Sequence, residues 1–247
     1  MAVTVGADVA EEARARMLDA VPEGFEEVDH GDMVELAGYV DDRGERRLRE
    51  LFGDVLSEPV AVDWEDRWRS FHHGVRIGPV WVGPPWERPP AGAIAAIIDP
   101  GRAFGTGAHA TTRLSLQLLL ELERGSLLDV GCGSGVIAIA AAKLGYRVVE
   151  AVDIDSIAVA TAAANAARNG VALPVRTADA LSDRMPRADI AVANIALEVI
   201  EELVSRLDAD WFVTSGYLET QRPGLARVAH VGRRTAEGWA ADLYRRQ

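Results

Sequence analysis

Lysine is almost missing from this chain: of its 26 basic residues only Lys143 is a lysine, and the rest are arginines. With the abundance of alanine, that bias reads as a GC-rich coding background and not as a function. Cysteine is as scarce. Cys132 stands alone, so no internal disulfide can form, and a reducing cytoplasm fits. Within the glycine turn that holds it, a small buried residue is the plain reading of that thiol, ahead of a redox switch. Hydrophobic residues make up 49% of the chain, yet no unbroken apolar run reaches the ~20 residues of a membrane helix. Acids interrupt Met1–Ala20 early, which removes a signal-peptide pattern and leaves a cytoplasmic protein with no membrane partner as the expectation. Excess positive charge is also absent. The net charge is −12, which argues against a general nucleic-acid binder and suits either a basic partner or simple solubility. No Cys/His cluster has metal spacing, and no nucleophile–base pair is apparent, so no metal is expected.

What is present centres on Asp129-Val-Gly-Cys-Gly-Ser-Gly-Val136, between Leu127-Leu128 and the helical run Ile137–Leu144. This is a strand passing through a glycine turn into a helix. Glycines at 131, 133 and 135 leave no Cβ between backbone and ligand and permit positive φ. A dinucleotide fingerprint needs a small residue where Val136 stands, and has no opening aspartate. Both departures suit S-adenosylmethionine, a cationic sulfonium without a pyrophosphate.

Arg147–Asp153 reads as a second strand ending in an acid, about twenty residues on, the spacing at which a carboxylate meets ribose hydroxyls. Asp153 closes the apolar run and is the better ribose ligand. Asp155 fits the loop or first helical turn, Ser156 can cap the following helix, and Asn169-Gly170 can end it. Leu173–Thr177 resembles a third strand, with Asp179 beyond it either reaching an adenine amino group or standing as a solvated loop residue. Ala188–Asn194 reads as a fourth, buried strand whose polar terminus is the catalytic candidate. In an open parallel sheet ligands bind beyond the carboxyl ends of the strands, so one crevice can collect Gly131, Asp153, Asp179 and Asn194. Upstream, the glycine-rich Asp99–Thr112 leads into a helix, its threonines placed to cap that helix or meet a ligand, and reads as a lid or cofactor loop.

The N-terminal part has a different rhythm. Residues 2–6 look like a strand, Asp8–Val21 has helical spacing, Phe25–Asp29 and Met33–Val40 look like a strand pair, Glu45–Phe52 like a helix and Val55–Val62 like a last strand. That βαββαβ order predicts a small ferredoxin-like α+β domain over 1–62. Residues 63–92, holding Trp64, Trp68, Trp81 and Trp86 among prolines, read as a rigid connector, with a stacking platform for RNA as the sharper alternative. Residues 93–247 then form the α/β domain with the Rossmann-like sheet.

Taken together, Asp99–Thr112 with its core Ala103-Phe-Gly-Thr-Gly107, the Asp129–Gly135 turn, Val152-Asp-Ile-Asp155, Val192-Ala-Asn-Ile195 and Ser215-Gly-Tyr-Leu218 resemble the PrmA family. The likeness runs from Trp64 to Arg246. It implies a class I S-adenosylmethionine-dependent methyltransferase fold and methylation of a large-subunit ribosomal protein at the stalk base. The family's cofactor contacts fall on Thr112, Gly131, Asp153 and Asn194. With Phe104, Gly133 and Asp179 these make the expected cofactor set, and Asn194 is the expected catalytic residue. Three departures stand out: Ile195-Ala-Leu197 for the usual Ile-Leu-Ala, Ala110 for a proline, and a short N-terminal part.

The chemistry asks for a neutral amine, either a lysine side chain or an N-terminus, attacking the methyl in line. Positioning and desolvation supply most of the catalysis. Asn194 can orient that amine through its side-chain carbonyl and the methionine end of the cofactor through its NH₂. His109 can relay a proton or simply pack the loop. The alternatives are a methyltransferase for another protein or a small amine and, from a different class, a non-catalytic cofactor-binding module.

Overall fold

The structure, a computed structural model, describes residues 1–6, 9–10, 13, 16–17, 21, 26–29, 31–38, 40, 42–53, 55–56, 73–99 and 107–247. The chain divides into two compact units, Met1–Asp66 and Arg67–Gln247.

In the first unit β1 (Ala2–Gly6), β2 (Glu26–Asp29) and β3 (Met33–Ala37) form an antiparallel sheet in the order β1-β3-β2. Helix α1 spans Asp42–Phe52. Ala2 bridges Leu56 in antiparallel fashion, with N–H···O bonds of 2.9 and 3.0 Å, so the chain after α1 returns to the open edge of β1. The described part of that order is compatible with the split βαβ arrangement that the strand and helix rhythm predicts. Ala10, Ala13, Met17 and Val21 are buried at helical spacing against Val34, Leu36 and Leu48. The remainder of Asp8–Val21, and the strand expected beyond Leu56, lie outside the described residues, as do Trp64 and Trp68.

The second unit begins with a three-stranded sheet, β4 (Val75–Ile77), β5 (Val80–Gly83) and β6 (Ile94–Ile97). Part of the Trp/Pro-rich stretch, Val75–Ile77 and Val80–Gly83, is therefore sheet. Trp81 lies inward at 4% exposure, which removes it from any stacking platform. The main sheet has seven strands in the order β12-β13-β11-β10-β7-β8-β9. These are β7 (Leu127–Val130), β8 (Val149–Asp153), β9 (Val175–Thr177), β10 (Ala188–Asn194), β11 (Ala209–Leu218), β12 (Val228–Ala236) and β13 (Trp239–Arg246). From β9 to β11 the pairing is parallel, and β13 and β12 add an antiparallel edge. Parallel strands are covered on both faces, which is why β7 reads Leu-Leu-Asp-Val with every residue buried. Helices α2 (Ala110–Leu119), α3 (Val136–Leu144) and α4 (Ser156–Arg168) cover one face, with Leu116, Ile139 and Ala162 in that core. Helix α5 (Leu197–Arg206) covers the other through Ile200, Leu203 and Val204. Topology thus places the carboxyl ends of β7, β8, β9 and β10 along one edge of the sheet.

Two helix starts differ from the sequence reading. Asp155, not Ser156, caps α4, its carboxylate accepting from Ile157 N–H at 2.8 Å. A carboxylate also meets the positive end of the helix dipole, an advantage a hydroxyl lacks. His109 caps α2, leaving Thr111 and Thr112 inside the first turn, both 1% exposed.

The antiparallel edge carries a buried charge. Asp242 on β13 is fully buried and accepts from Tyr217 O–H at 2.8 Å. It also meets His230 Nε2 at 2.8 Å and the Arg233 guanidinium at 3.6 Å. Because a carboxylate only accepts, the Tyr217 proton goes to Asp242, and the Thr214 hydroxyl at 2.8 Å donates to the phenol oxygen. Burial and the Asp242 charge both hold the Tyr217 phenol well above its ordinary pKa. Tyr217→Phe keeps the ring and removes a hydrogen bond to a charged group, so it should cost about 1.5–3 kcal/mol of stability. A lowered thermal midpoint for this unit is the expected readout, and an unchanged midpoint would show that Asp242 does not depend on the phenol.

Candidate active site

The glycine turn after β7 is built by positive φ: 70° at Gly131, 53° at Gly133 and 79° at Gly135. L-residues avoid those angles, so the sequence sets the path of the turn. Two backbone groups pin it to β8, Gly131 N–H and Cys132 N–H both donating to Val152 O, at 2.9 and 3.1 Å. Gly133 N–H donates to Asp153 Oδ2 at 2.9 Å, and Asp155 N–H to Asp153 Oδ1 at 3.0 Å. The Asp153 carboxylate is thereby fixed at the strand end with acceptor capacity remaining, and Asp155, which caps α4, is occupied elsewhere.

The crevice above these strand ends has a volume of about 430 Å³. Thr112, Gly131, Gly133, Asp153, Asp179 and Asn194 all line it, so one hollow holds six of the seven residues expected to bind a cofactor. The seventh, Phe104, lies outside the described residues, with the rest of 100–106. Asp179 has a local job. Its Oδ1 accepts from Leu181 N–H at 2.9 Å and its Oδ2 from Ser182 O–H at 3.0 Å, a turn that presents Ala180 and Leu181 to the hollow. His109 meets the Trp239 ring edge-on at 5.0 Å and Thr111 Oγ1 at 2.8 Å; these are contacts that pack the loop end.

Two further lining residues, Ile154 and Asp129, have no binding role in the motif reading. Ile154 stands between the two acids and is 70% exposed, an apolar side chain at the mouth beside Asp153. Asp129 opens the glycine motif, is 1% exposed and still lines the hollow. One of its oxygens accepts from Ala138 N–H at 3.1 Å. Burial, with the nearby Asp153 charge, pushes its carboxyl up to about 7 despite that bond. Burial likewise drives the Cys132 thiol far up, which keeps it protonated and unreactive.

The glycine-rich loop is anchored at its start by α4. Asn165, 2% exposed, accepts from Asp99 N–H at 3.0 Å and donates to Asp99 O at 3.3 Å and Ser134 O at 3.0 Å. One turn later Asn169 accepts from Ile97 N–H at 2.9 Å and donates to Ile97 O at 2.6 Å. Two amides four residues apart thus act as a surrogate strand edge, joining the loop to the glycine turn.

This geometry suits a nucleoside carrying a positive charge. A fixed carboxylate stands at a strand end, apolar groups line the mouth, a glycine turn leaves room for close approach to the backbone, and Asp129 lines the hollow as a latent negative charge. Among the described residues no group of three His, Cys, Asp or Glu is placed to hold a metal.

Comparison with known proteins agrees. The family model described as "Ribosomal protein L11 methyltransferase (PrmA)" matches residues 31–240. The chain belongs to that family. A ribosomal protein L11 methyltransferase of Symbiobacterium thermophilum is 40% identical over 197 residues, covering 73% of this chain and 65% of the relative. One from Actinobacillus succinogenes is 42% identical over 163 residues, covering 63% and 55%. The chain thus spans just under two thirds of the first relative and about half of the second. Among solved structures, the ribosomal protein L11 methylase of Lactobacillus delbrueckii subsp. bulgaricus superposes with a TM-score of 0.63 at 30% identity. That superposition covers 71% of this chain and 99% of that one. The fold is therefore the Rossmann-like class I methyltransferase fold.

Asp129 provides a pH test. Its carboxyl is raised, so the protonated form stabilises the fold at low pH, and that contribution is lost as pH rises through about 7. A cationic ligand reverses the preference by favouring the carboxylate. Affinity for S-adenosylhomocysteine, whose ammonium is cationic, should rise about fivefold between pH 6 and 7.5, with proton release at the lower pH. In Asp129→Asn the rise should disappear. Calorimetry with equal slopes in both proteins would remove Asp129 from the cofactor's surroundings.

Proposed function

We propose that this chain is an S-adenosylmethionine-dependent N-methyltransferase whose acceptor is an amine, a lysine side chain or the N-terminus, of ribosomal protein L11. The single observation that carries the reading is the fixed Asp153 carboxylate in the same crevice as Asn194, at the ends of two parallel strands that flank β7. Membership of the family supplies the acceptor.

S-adenosylmethionine supplies an electrophilic methyl on a sulfonium when bound. The chain's residues bind and orient. Asp153 would hold the ribose hydroxyls and Gly131 and Gly133 would let the backbone approach. Thr112 would flank the methionine end, and Asp179 with its turn the adenine. Asn194 would accept a hydrogen bond from the attacking amine through its side-chain oxygen and so aim the nitrogen lone pair at the crevice. The amine has to arrive neutral, and its desolvation within the crevice favours loss of the proton to water. The net charge of −12 favours encounter with a basic protein and disfavours nucleic acid. Residues 1–62 are assigned to substrate recognition and the second unit, Arg67–Gln247, to the cofactor and the chemistry, in a cytoplasmic setting.

The experiment is methyl transfer from labelled S-adenosylmethionine to ribosomes lacking this modification, followed by locating the label. Label on L11 nitrogen supports the proposal. Label on another protein or on RNA would redirect it, and no transfer despite cofactor binding would favour a non-catalytic module. Asp153→Ala should weaken S-adenosylhomocysteine by about 1.5–3 kcal/mol, the worth of hydrogen bonds to a charged group. Unchanged affinity would remove Asp153 from the ribose position.

A further inference from the structure

The motif Ser215-Gly-Tyr-Leu218 has no part in the scheme above, yet it marks the only irregularity in the pairing of β11 with β13. Ser215 pairs with Ala241 and Tyr217 with Ala240, which leaves Gly216 as the extra residue of a β-bulge. Its φ is 106°, a conformation that L side chains rarely adopt. A Cβ built there would overlap the Ile195 carbonyl oxygen and lie 2.8 Å from the Ile195 carbonyl carbon and 2.9 Å from its nitrogen. The bulge is therefore a surface shaped to receive the peptide that follows β10.

Ile195 is the residue immediately after Asn194, and it is held from two sides. Its N–H donates to Ser215 O at 3.0 Å, with its backbone on Gly216. Its Cγ2 fills the space that a Cβ on Gly131 would need. The two glycines thus clamp one residue, one from the bulge and one from the cofactor turn. The bulge does not yield easily. Ser215 is fully buried and donates to Ala240 O at 2.7 Å, while Tyr217, 2% exposed, is tied to Asp242.

We propose that Gly216 is a positioning residue for the transfer reaction, setting through Ile195 the height at which Asn194 enters the crevice. The inference rests on the role given to Asn194 above. A group that must meet both the cofactor and the attacking amine tolerates little displacement, since about 1 Å can cost on the order of a hundredfold in rate. A side chain on Gly216 would lift the Ile195 peptide and carry Asn194 with it.

The test is a double-mutant cycle in the full chain. Methyl transfer to L11 at saturating cofactor and S-adenosylhomocysteine affinity are measured for wild type, Gly216→Ala, Asn194→Ala and the double variant. Gly216→Ala should lower turnover by at least about tenfold. It should shift cofactor affinity no more than Asn194→Ala does and cause no further loss when Asn194 is already alanine. A merely structural role would give additive losses, which would overturn the proposal, as would wild-type turnover in Gly216→Ala. Ile195→Ala keeps the bulge and removes the contact on Gly131, so it decides the matter if Gly216→Ala fails to fold. It should lose several-fold in turnover, again only when Asn194 is present, and full or additive turnover contradicts the clamp. Wild-type turnover in Asn194→Ala would overturn the role of Asn194 and this inference together, whereas impaired Asn194→Ala with additive losses would overturn this inference alone.

Discussion

Gly133 N–H reaches Asp153 Oδ2 across 2.9 Å, and much of the second unit depends on that span. It links the turn after β7 to the end of β8, so the two strands cannot slide without breaking it. The same carboxylate accepts from Asp155 N–H, and Asp155 in turn caps α4. Through Asn165 that helix holds Asp99 and Ser134, which returns to the glycine turn. A closed circuit of hydrogen bonds, charge-assisted at Asp153 and Asp155, therefore holds the glycine-turn side of the crevice. Such bonds are shorter and stronger than neutral ones, and they position the groups before any ligand arrives.

Much of this was legible in the chain itself. Apolar runs closed by a polar residue located β8 and β10 and singled out Asp153 and Asn194, and the Leu127-Leu128 pair before the glycine turn located β7. The polar ends of parallel strands must meet along one edge of the sheet, so convergence followed from topology. What stayed hidden depends on contacts distant in sequence. Asn165 and Asn169 sit in an Ala-rich helix with nothing to announce that they bind the backbone at Asp99 and Ile97, about seventy residues away. Asp129 showed as a departure from the dinucleotide pattern, but its burial, and with it the raised carboxyl, follows from three-dimensional packing. The capping roles of His109 and Asp155 turn on differences of one to three residues in where a helix starts, the least certain feature of any sequence reading. Phe104 stands in the segment the structure does not describe.

Two buried carboxylates show opposite solutions to one problem. Asp242 is surrounded by Tyr217, His230 and Arg233, and its charge is compensated where it lies. Asp129 has a single backbone donor among the described residues, and its carboxyl rises to about 7. Burial of an under-compensated acid is costly, and it persists where a ligand completes the site. The first carboxylate fixes the bulged edge beside β10, and the second lines the crevice, where the proposed function gives it a cation to meet. Stability and function thus draw on the same residue chemistry, separated by the number of donors each carboxylate receives.

The central claim is that one crevice, organised by Asp153, holds the cofactor with its reactive end toward Asn194. A crystal structure with S-adenosylhomocysteine bound tests it most directly. The account predicts ribose hydroxyls within hydrogen-bonding distance of the Asp153 carboxylate and the sulfur on the Asn194 side of the glycine turn. A nucleoside bound elsewhere, or bound here with its ribose away from Asp153, would contradict it.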